Sequence, residues 1–411
     1  MTAQARTDGN AVAWERARRL AHAAGAARPL APADVDLADG DGCVLARDVL
    51  ALTDLPAFDC ASVDGYAVRG EAPWQVVGQA PAGGVCPPIG RDGAAVLIAT
   101  GAMVPADVQA ILRIEDAREL PDGRIEGSPR PRREWRLHGE QAERGELLVP
   151  AGTVVTPAVM GVAASAGHDR LSVRPRPRLT LVLLGDEVAT AGPSGDGRVR
   201  DAIGPQIPAW ARRLGLEVAA VIGPVADTAA AHRKALAAAL DTGADLIATS
   251  GGTMYGPADH LRPTLAELGA DYLVETVRSR PGRPMLLARV PGGAGPGDGP
   301  GTLLVGLPGR PQPAVLALLT LVAPAAAGLT GRPLPPLRRV VAGEAIRGRG
   351  AQTRLALVRL GEDGRAHPVE RTRSAALHGM VGTVGFAVVE PGADAEAGDE
   401  LPLLALPLDP V

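Results

Sequence analysis

The sequence predicts an α/β multidomain protein: a doubly wound parallel sheet, with a β-rich insertion before it and a C-terminal β-barrel after it. Three observations carry this expectation. The apolar runs Leu179–Leu184, Asp245–Thr249 and Leu303–Gly306 each end in a sharp glycine-containing loop, as strands buried on both faces of a parallel sheet do. Helix-like segments separate them, and strands alternating with helices imply parallel crossovers. On either side the texture becomes short strands broken by Gly and Pro.

Taken in order, Trp14–Ala24 is an amphipathic helix with Trp14, Ala17, Leu20 and Ala21 on one face. Val44–Leu52 alternates as a strand would. Leu55–Gly70 is turn-rich and carries the pair Asp64–Gly65. Trp74–Val77, Ala94–Ala99 and Gln109–Ile114 are the short strands of the β-rich unit, and the basic stretch Pro129–Trp135 is a solvated loop. Arg174–Arg178, which alternates Arg and Pro, leads stiffly into Leu179–Leu184. Then come a helix near Gly204–Leu214, a strand at Glu217–Ile222, an Ala-rich helix from Thr228 to Leu240, and a helix at Ala258–Leu268. The helix after Gly309 runs to about Ala327. The glycine-rich stretch Pro291–Gly301 is a flexible insertion without a phosphate-loop pattern, and a candidate lid. Val340–Ile346, Arg354–Leu360, Gly385–Glu390 and Glu400–Leu404 are the strands of the terminal barrel.

Composition narrows the function classes. A chain of 411 residues holds about two to four domains and needs no disulfide or metal to build a core. With a net charge of −4 and 2% aromatic residues, nothing favours a nucleic-acid partner. Cys43, Cys60 and Cys86 match no zinc or redox spacing and suit a reducing compartment. The N-terminus lacks a signal-peptide core and no uninterrupted apolar run of about 18 residues is evident. A cytoplasmic protein without a membrane partner is expected. Lys234 is the only lysine, so anion binding falls to arginine, which offers bidentate donors but is a poor base.

Five clusters could carry chemistry, and each also has a plainer reading. Ser62–Ala67 is a catalytic carboxylate segment or an ordinary Asp-Gly turn. Thr100-Gly101-Ala102 with Pro105 says little alone. Asp186 and Glu187 at a strand end can hold Mg²⁺ or simply favour a helix N-terminus. Ser250-Gly251-Gly252, with Gly256 and Asp259, can bring backbone N–H groups to an anion; Asp259 faces a metal or caps the next helix. Arg280-Pro281-Gly282-Arg283-Pro284 and Gly306-Leu307-Pro308-Gly309-Arg310-Pro311 offer arginines to an oxyanion, or surface charge. The seven histidines form no close metal-ligand spacing.

In this order, the clusters resemble the molybdopterin molybdenumtransferase family, the MoeA and gephyrin E-domain proteins, from about Trp14 to Leu404. The strongest stretches are Leu55–Val68, Ala95–Glu115, Gly145–Leu184, Thr249–Leu268 and Val305–Gly331. Relatives that share only the doubly wound domain lack the Leu55–Val68 segment and the terminal barrel. The resemblance implies a homodimer of four-subdomain chains: residues 11–55 with 148–175, 56–147, 176–330 (the molybdopterin-binding domain) and 331–411. It implies a transferase that takes adenylylated molybdopterin and molybdate, inserts molybdenum and releases AMP. Glu187, Asp227 and Asp259 would hold Mg²⁺. Ser250, Gly251, Gly252, Pro284, Pro308, Gly309, Arg310 and Pro311 would bind the substrate. Asp64 and Thr100 of the other protomer would close the cleft. Arg280, Arg283, Arg354 and Ser374 match the molybdate pocket.

The chain departs from the family pattern where the site is expected. Cys60-Ala61 replaces Asn-Ser, and Gln109, Gln141 and Thr228 stand where the pattern has aspartate. Leu184, Ile203, Met254, Arg310 and Pro313 replace polar residues, and both pocket lysines are arginines. These changes keep a second reading open: a catalytically impaired paralogue that binds the cofactor or acts as a scaffold.

Overall fold

A computed structural model describes residues 10–254, 259–291, 301–369 and 377–408. Ser374, Gly256 and residues 292–300 of the expected lid lie outside them. The chain divides into two compact units. One is built from residues 1–33, 42–44 and 174–411, the other from 34–41 and 45–173.

The first unit is organised on a six-stranded sheet. Its elements are β1 (Arg178–Leu184), α1 (Ile203–Arg213), β2 (Glu217–Val225), α2 (Ala229–Asp241), β3 (Leu246–Ser250), α3 (Leu261–Glu267), β4 (Asp271–Val274), β5 (Leu286–Val290), β6 (Thr302–Leu307) and α4 (Pro311–Ala317). The strand order is β2-β1-β3-β6-β5-β4. Strands β2, β1, β3 and β6 are parallel, whereas β5 and β4 join antiparallel. The wholly parallel sheet expected from sequence is therefore a mixed one. Alternation along β1 feeds two cores, as the pleat requires. Leu179, Leu181 and Leu183 pack with Ile203 and Ile207 of α1 and Val315 of α4, while Val182 and Leu184 pack with Leu236 of α2 and Leu261 of α3.

Helix α4 continues through a π-helical stretch, Leu318–Val322, into Ala323–Leu329. Residues Pro311–Leu329 form a helix long and apolar enough to cross a membrane, although Gln312 and Thr320 interrupt its apolar run, and 94% of its apolar window is buried inside the fold. An all-round apolar helix is what a core position demands. Trp14 and Ala17 of the helix Trp14–Ala26 pack in the same core, and Trp14 Nε1 donates to Thr320 Oγ1 at 3.1 Å.

The C-terminal strands do not stand alone. Thr353–Leu360, Gly385–Val389, Glu400–Ala405 and Arg338–Val341 extend a sheet that begins with Ala11–Ala13 and Thr276–Arg280. Among the described residues this pairing is an open path, so the expected barrel is not closed by hydrogen bonding. Leu355, Leu357 and Phe386 face the central core, and Ala356, Val358 and Ala387 a separate cluster.

The second unit carries another six-stranded sheet, in the order Ala117–Glu119, Arg124–Gly127, Trp74–Ala80, Ala94–Ile98, Gly65–Arg69, Ala110–Arg113. It also holds a helix over Pro157–Ser165, capped by Thr156, whose hydroxyl accepts from the Val159 N–H. Val44–Leu52, expected as one strand, contains two two-residue strands, Val44–Leu45 and Val49–Leu50. Cys43, Cys60 and Cys86 form no disulfide among the described residues.

Candidate functional site

In the first unit the loops after β1 and β3 diverge, because β1 connects outward to β2 while β3 has its neighbour β6 on the other side. Ligands of open α/β sheets bind at such a switch point, beyond the strands' carboxyl ends. A cleft of about 610 Å³ lies there. It brings together most of the residues named from sequence: Glu187, Asp227, Asp259, Ser250–Gly252 and Gly309–Pro311. Asp186 does not line it, but its backbone N–H donates to Asp227 Oδ2 at 3.5 Å.

Local backbone chemistry builds these walls. Gly185 has φ 130°, and a Cβ there would collide with the Glu187 carboxylate, so only glycine lets that side chain fold back. Gly252 has φ 69°, and its Cβ would stand 2.7 Å from Leu261 Cβ. Gly252→Ala should therefore lower stability by about 1–3 kcal/mol, whereas Gly251→Ala, whose Cβ meets nothing nearer than 4.0 Å, should cost less. Chemical denaturation of the two variants checks the order. The Gly251 N–H donates to Leu307 O at 2.8 Å, so an anion on this loop would draw on Gly252 instead. Ser250 is likewise engaged, its Oγ accepting from the Leu184 N–H at 3.1 Å. Arg310 caps α4 with Pro311 in its first turn, where proline is at home.

Among the lining residues that sequence reasoning missed, Arg200, Asp201 and His232 carry polar groups. Asp201 caps α1, its Oδ1 accepting from the Ile203 and Gly204 N–H groups at 2.9 Å each; an Asp just before an apolar helix was the available signal. His232 is buried on α2, with Nε2 3.8 Å from Asp227 Oδ1. The cleft is acidic: four carboxylates (Glu187, Asp201, Asp227, Asp259) face it against Arg200 and Arg310. Burial pushes the Asp259 carboxyl up to about 6, although the Met254 N–H bonds to it and opposes the rise. Among the described residues no three His, Cys, Asp or Glu side chains converge into a ready-made metal site.

A second cleft adjoins this one, and a third adjoins the second. The second, of about 430 Å³, shares Met254, Gly309 and Arg310 with the first and adds Arg280, Arg283, Pro284 and Pro308. The third, of about 620 Å³, shares Arg280 with the second and adds Arg349, Gln352 and Arg354. Arg280 and Arg354 are register partners on adjacent parallel strands, and Arg280 Nε donates to Gln352 Oε1 at 3.0 Å. Burial, with Arg349 nearby, pulls the Arg354 pKa below its ordinary value. Clustered, desolvated guanidinium groups are what an oxyanion neutralises. Arg283 is held through its carbonyl, which accepts from Thr276 Oγ1 at 2.6 Å.

Asp64 and Thr100 lie in the second unit. The strands Gly65–Arg69 and Ala94–Ile98 pair antiparallel, which brings the two together. The Thr100 N–H and hydroxyl both donate to Asp64 Oδ1, at 2.6 and 2.8 Å. These bonds, the backbone one first, hold the Asp64 carboxyl below its usual range.

Comparison with known proteins decides the family. Residues 12–167 match the MoeA N-terminal region (domains I and II), 180–328 the probable molybdopterin-binding domain, and 339–406 the MoeA C-terminal region (domain IV). The chain belongs to the MoeA family. Among MoeA relatives, molybdopterin molybdenumtransferase 2 of Mycobacterium tuberculosis (strain CDC 1551 / Oshkosh) is 32% identical over 328 residues, covering 75% of this chain and 78% of the relative. The molybdopterin molybdenumtransferase of Nostoc sp. (strain PCC 7120 / SAG 25.82 / UTEX 2576) is 30% identical over 309 residues, 72% of this chain and 69% of the relative. In fold, the molybdopterin biosynthesis MoeA protein from Pyrococcus horikosii matches with TM-score 0.74 over 96% of this chain and 99% of that one, at 24% identity.

The MoeA departures fall in different environments. Leu184 and Ile203 are buried and serve the cores as well as the cleft. Met254 is 50% exposed and lines both of the first two clefts. Gln109 is structural, its Oε1 accepting from the Gly70 N–H at 2.8 Å.

Proposed function

We propose that this chain is a molybdopterin molybdenumtransferase, acting in molybdenum cofactor biosynthesis as a cytoplasmic homodimer with the four-subdomain organisation given above. The observation that carries the reading is the succession of clefts: an acidic one at the switch point, then two lined by arginines, joined through Arg310 and Arg280. An anionic pterin adenylate on carboxylates needs a cation between them. Two or so protein carboxylates with substrate oxygens completing the shell is the mode Mg²⁺ favours. Glu187, Asp227 and Asp259 are the residues that would hold it, and the buried Oδ1 of Asp259 has no hydrogen-bond partner among the described residues. When bound, such a cation polarises the phosphate and offsets charge on departing AMP.

The protein's own groups then divide the work. Gly252 and the start of α4 receive phosphate oxygens. Arg280, Arg283 and Arg354, with Ser374, receive molybdate and hold it toward the dithiolene. Asp64 of the second protomer, oriented by Thr100, completes the cleft. The test is AMP release and cofactor formation by the purified protein, given adenylylated molybdopterin, molybdate and Mg²⁺. Product at a rate similar to an intact family member upholds the reading; tight pterin binding without turnover upholds the cofactor-binding or scaffold alternative, which Met254 at the cleft junction favours.

One departure can be reversed cleanly. Thr228 caps α2, its Oγ1 accepting from the Ala231 N–H at 3.2 Å. Aspartate caps equally well, so Thr228→Asp adds a carboxylate beside Asp227 without loosening the helix. Calorimetry should show Mg²⁺ binding severalfold more tightly, an effect of about 1 kcal/mol for a nearby solvent-screened charge. An unchanged affinity would mean that Thr228 is not what weakens the site.

A further inference from the structure

The acidic cleft has an imidazole wall. His232, one turn into α2, is 1% exposed and lines the cleft. Among the described residues neither of its ring nitrogens has a hydrogen-bond partner, and the buried Oδ1 of Asp259 in the same cleft has none either. Buried polar side chains are nearly always paired, so two nitrogens at a cleft wall with no partner among the described residues call for a ligand. Packing does not require histidine here. The next turns of α2 present Ala235, Leu236 and Ala239 to an apolar cluster, where leucine would serve. The His260 ring meets His232 edge-on, with centroids 5.6 Å apart, which leaves the nitrogens of His232 unpaired.

Geometry also places His232 against a carboxylate. Its Nε2 stands 3.8 Å from Asp227 Oδ1. Two donors each about 2.0–2.2 Å from one ion are separated by a distance of this order.

We propose that His232 and Asp227 together ligate the divalent cation of this cleft, so that the chain binds Mn²⁺ in preference to Mg²⁺. The proposal rests on the cation reading above and names its ion. Mg²⁺ favours oxygen donors, whereas an imidazole nitrogen strengthens binding along the series from Mn²⁺ to Zn²⁺.

The test titrates the purified protein with Mn²⁺ or Mg²⁺ alone and records electron spin-echo modulation of the bound Mn²⁺. Modulation from one ¹⁴N-imidazole is expected, with Mn²⁺ held about tenfold or more tightly than Mg²⁺. His232→Leu should abolish the modulation and weaken Mn²⁺ binding at least about tenfold, while changing Mg²⁺ affinity by less than about threefold. Because leucine suits the α2 face, this variant should also raise the thermal midpoint of the metal-free protein, the opposite of losing a structural histidine. His260→Leu should keep the modulation. Bound Mn²⁺ without nitrogen modulation, or modulation that survives His232→Leu, overturns the assignment of His232 and leaves the cation reading standing. Failure of both ions to bind overturns the assignment and the cation reading together.

Discussion

Arg354→Ala should raise the molybdate concentration that half-saturates cofactor formation by about 10–100-fold, the worth of one charge-assisted contact to an anion, with a smaller change in the pterin requirement. The reason is positional. Arg354 and Arg280 are matched across adjacent parallel strands, Gln352 fixes Arg280 through its Nε, and Arg349 lines the same cleft. Arg354 is mostly withdrawn from water, and both burial and Arg349 oppose its charge. Without an anion these groups repel one another, so the substitution should leave the substrate-free protein as stable as before, or more so. A structural arginine predicts the reverse, a stability loss with unchanged half-saturation. Arg354→Lys separates charge from geometry: it keeps the cation but gives up the planar fork, and should recover only part of the affinity. An Arg354→Ala protein with unaltered half-saturation would remove the oxyanion role from the third cleft.

How much of this was legible in the sequence depends on the physics of each element. Strands β1, β3 and β6 announced themselves because a strand covered on both faces is a continuous apolar run, and each ends in the glycine loop that forms a cleft wall. Strands β4 and β5 did not. Asp271–Val274 is short and opens on Asp271, and Leu286–Val290, as long as β3, follows directly on the Arg280–Pro284 turn segment and is broken by Arg289, so neither reads as a separate apolar run. With them went the antiparallel edge of the sheet. Glu187 and Asp259 stood in separate clusters and Asp227 in none; the family resemblance alone joined the three, and the fold places all of them along one cleft. His232 was invisible because its neighbour Asp227 bears on it through α2, and its face of that helix carries the apolar period of a core. Asp64 and Thr100 are 36 residues apart and meet through strand pairing that spacing alone does not specify.

The largest stability effect is expected in the second unit. Arg113 grips Glu134 with two bonds, Nε to Oε1 at 2.9 Å and Nη2 to Oε2 at 3.1 Å, and Arg132 Nε adds a third at 2.9 Å. The Glu134 side chain is 4% exposed and that of Arg113 is 17% exposed. Removing Arg113 takes away two of the three bonds to the buried Glu134 carboxylate and leaves it only Arg132, so Arg113→Met should destabilise the protein at pH 7. Replacing both, as Arg113→Met with Glu134→Leu, should restore most of that loss, because the pair's attraction mainly offsets its desolvation. The pH dependence gives an independent check. The Arg113 bonds, first among the causes, hold the Glu134 carboxyl down to about 2. Its contribution is therefore complete above the ordinary glutamate value and is lost as pH falls from about 4.5 toward 2. In Arg113→Met the main bonds that held it down are gone and burial favours the neutral acid. The deficit relative to wild type should then shrink as the medium is acidified, and denaturation midpoints across pH 3–7 should converge. A deficit constant across that range would show that Arg113 acts by packing alone. The consequence reaches the site, because Ser62 N donates to Glu134 O and Ile114 N, next to Arg113, donates to Asp64 O. The same ion pair thus anchors both ends of the short segment that presents Asp64 to Thr100.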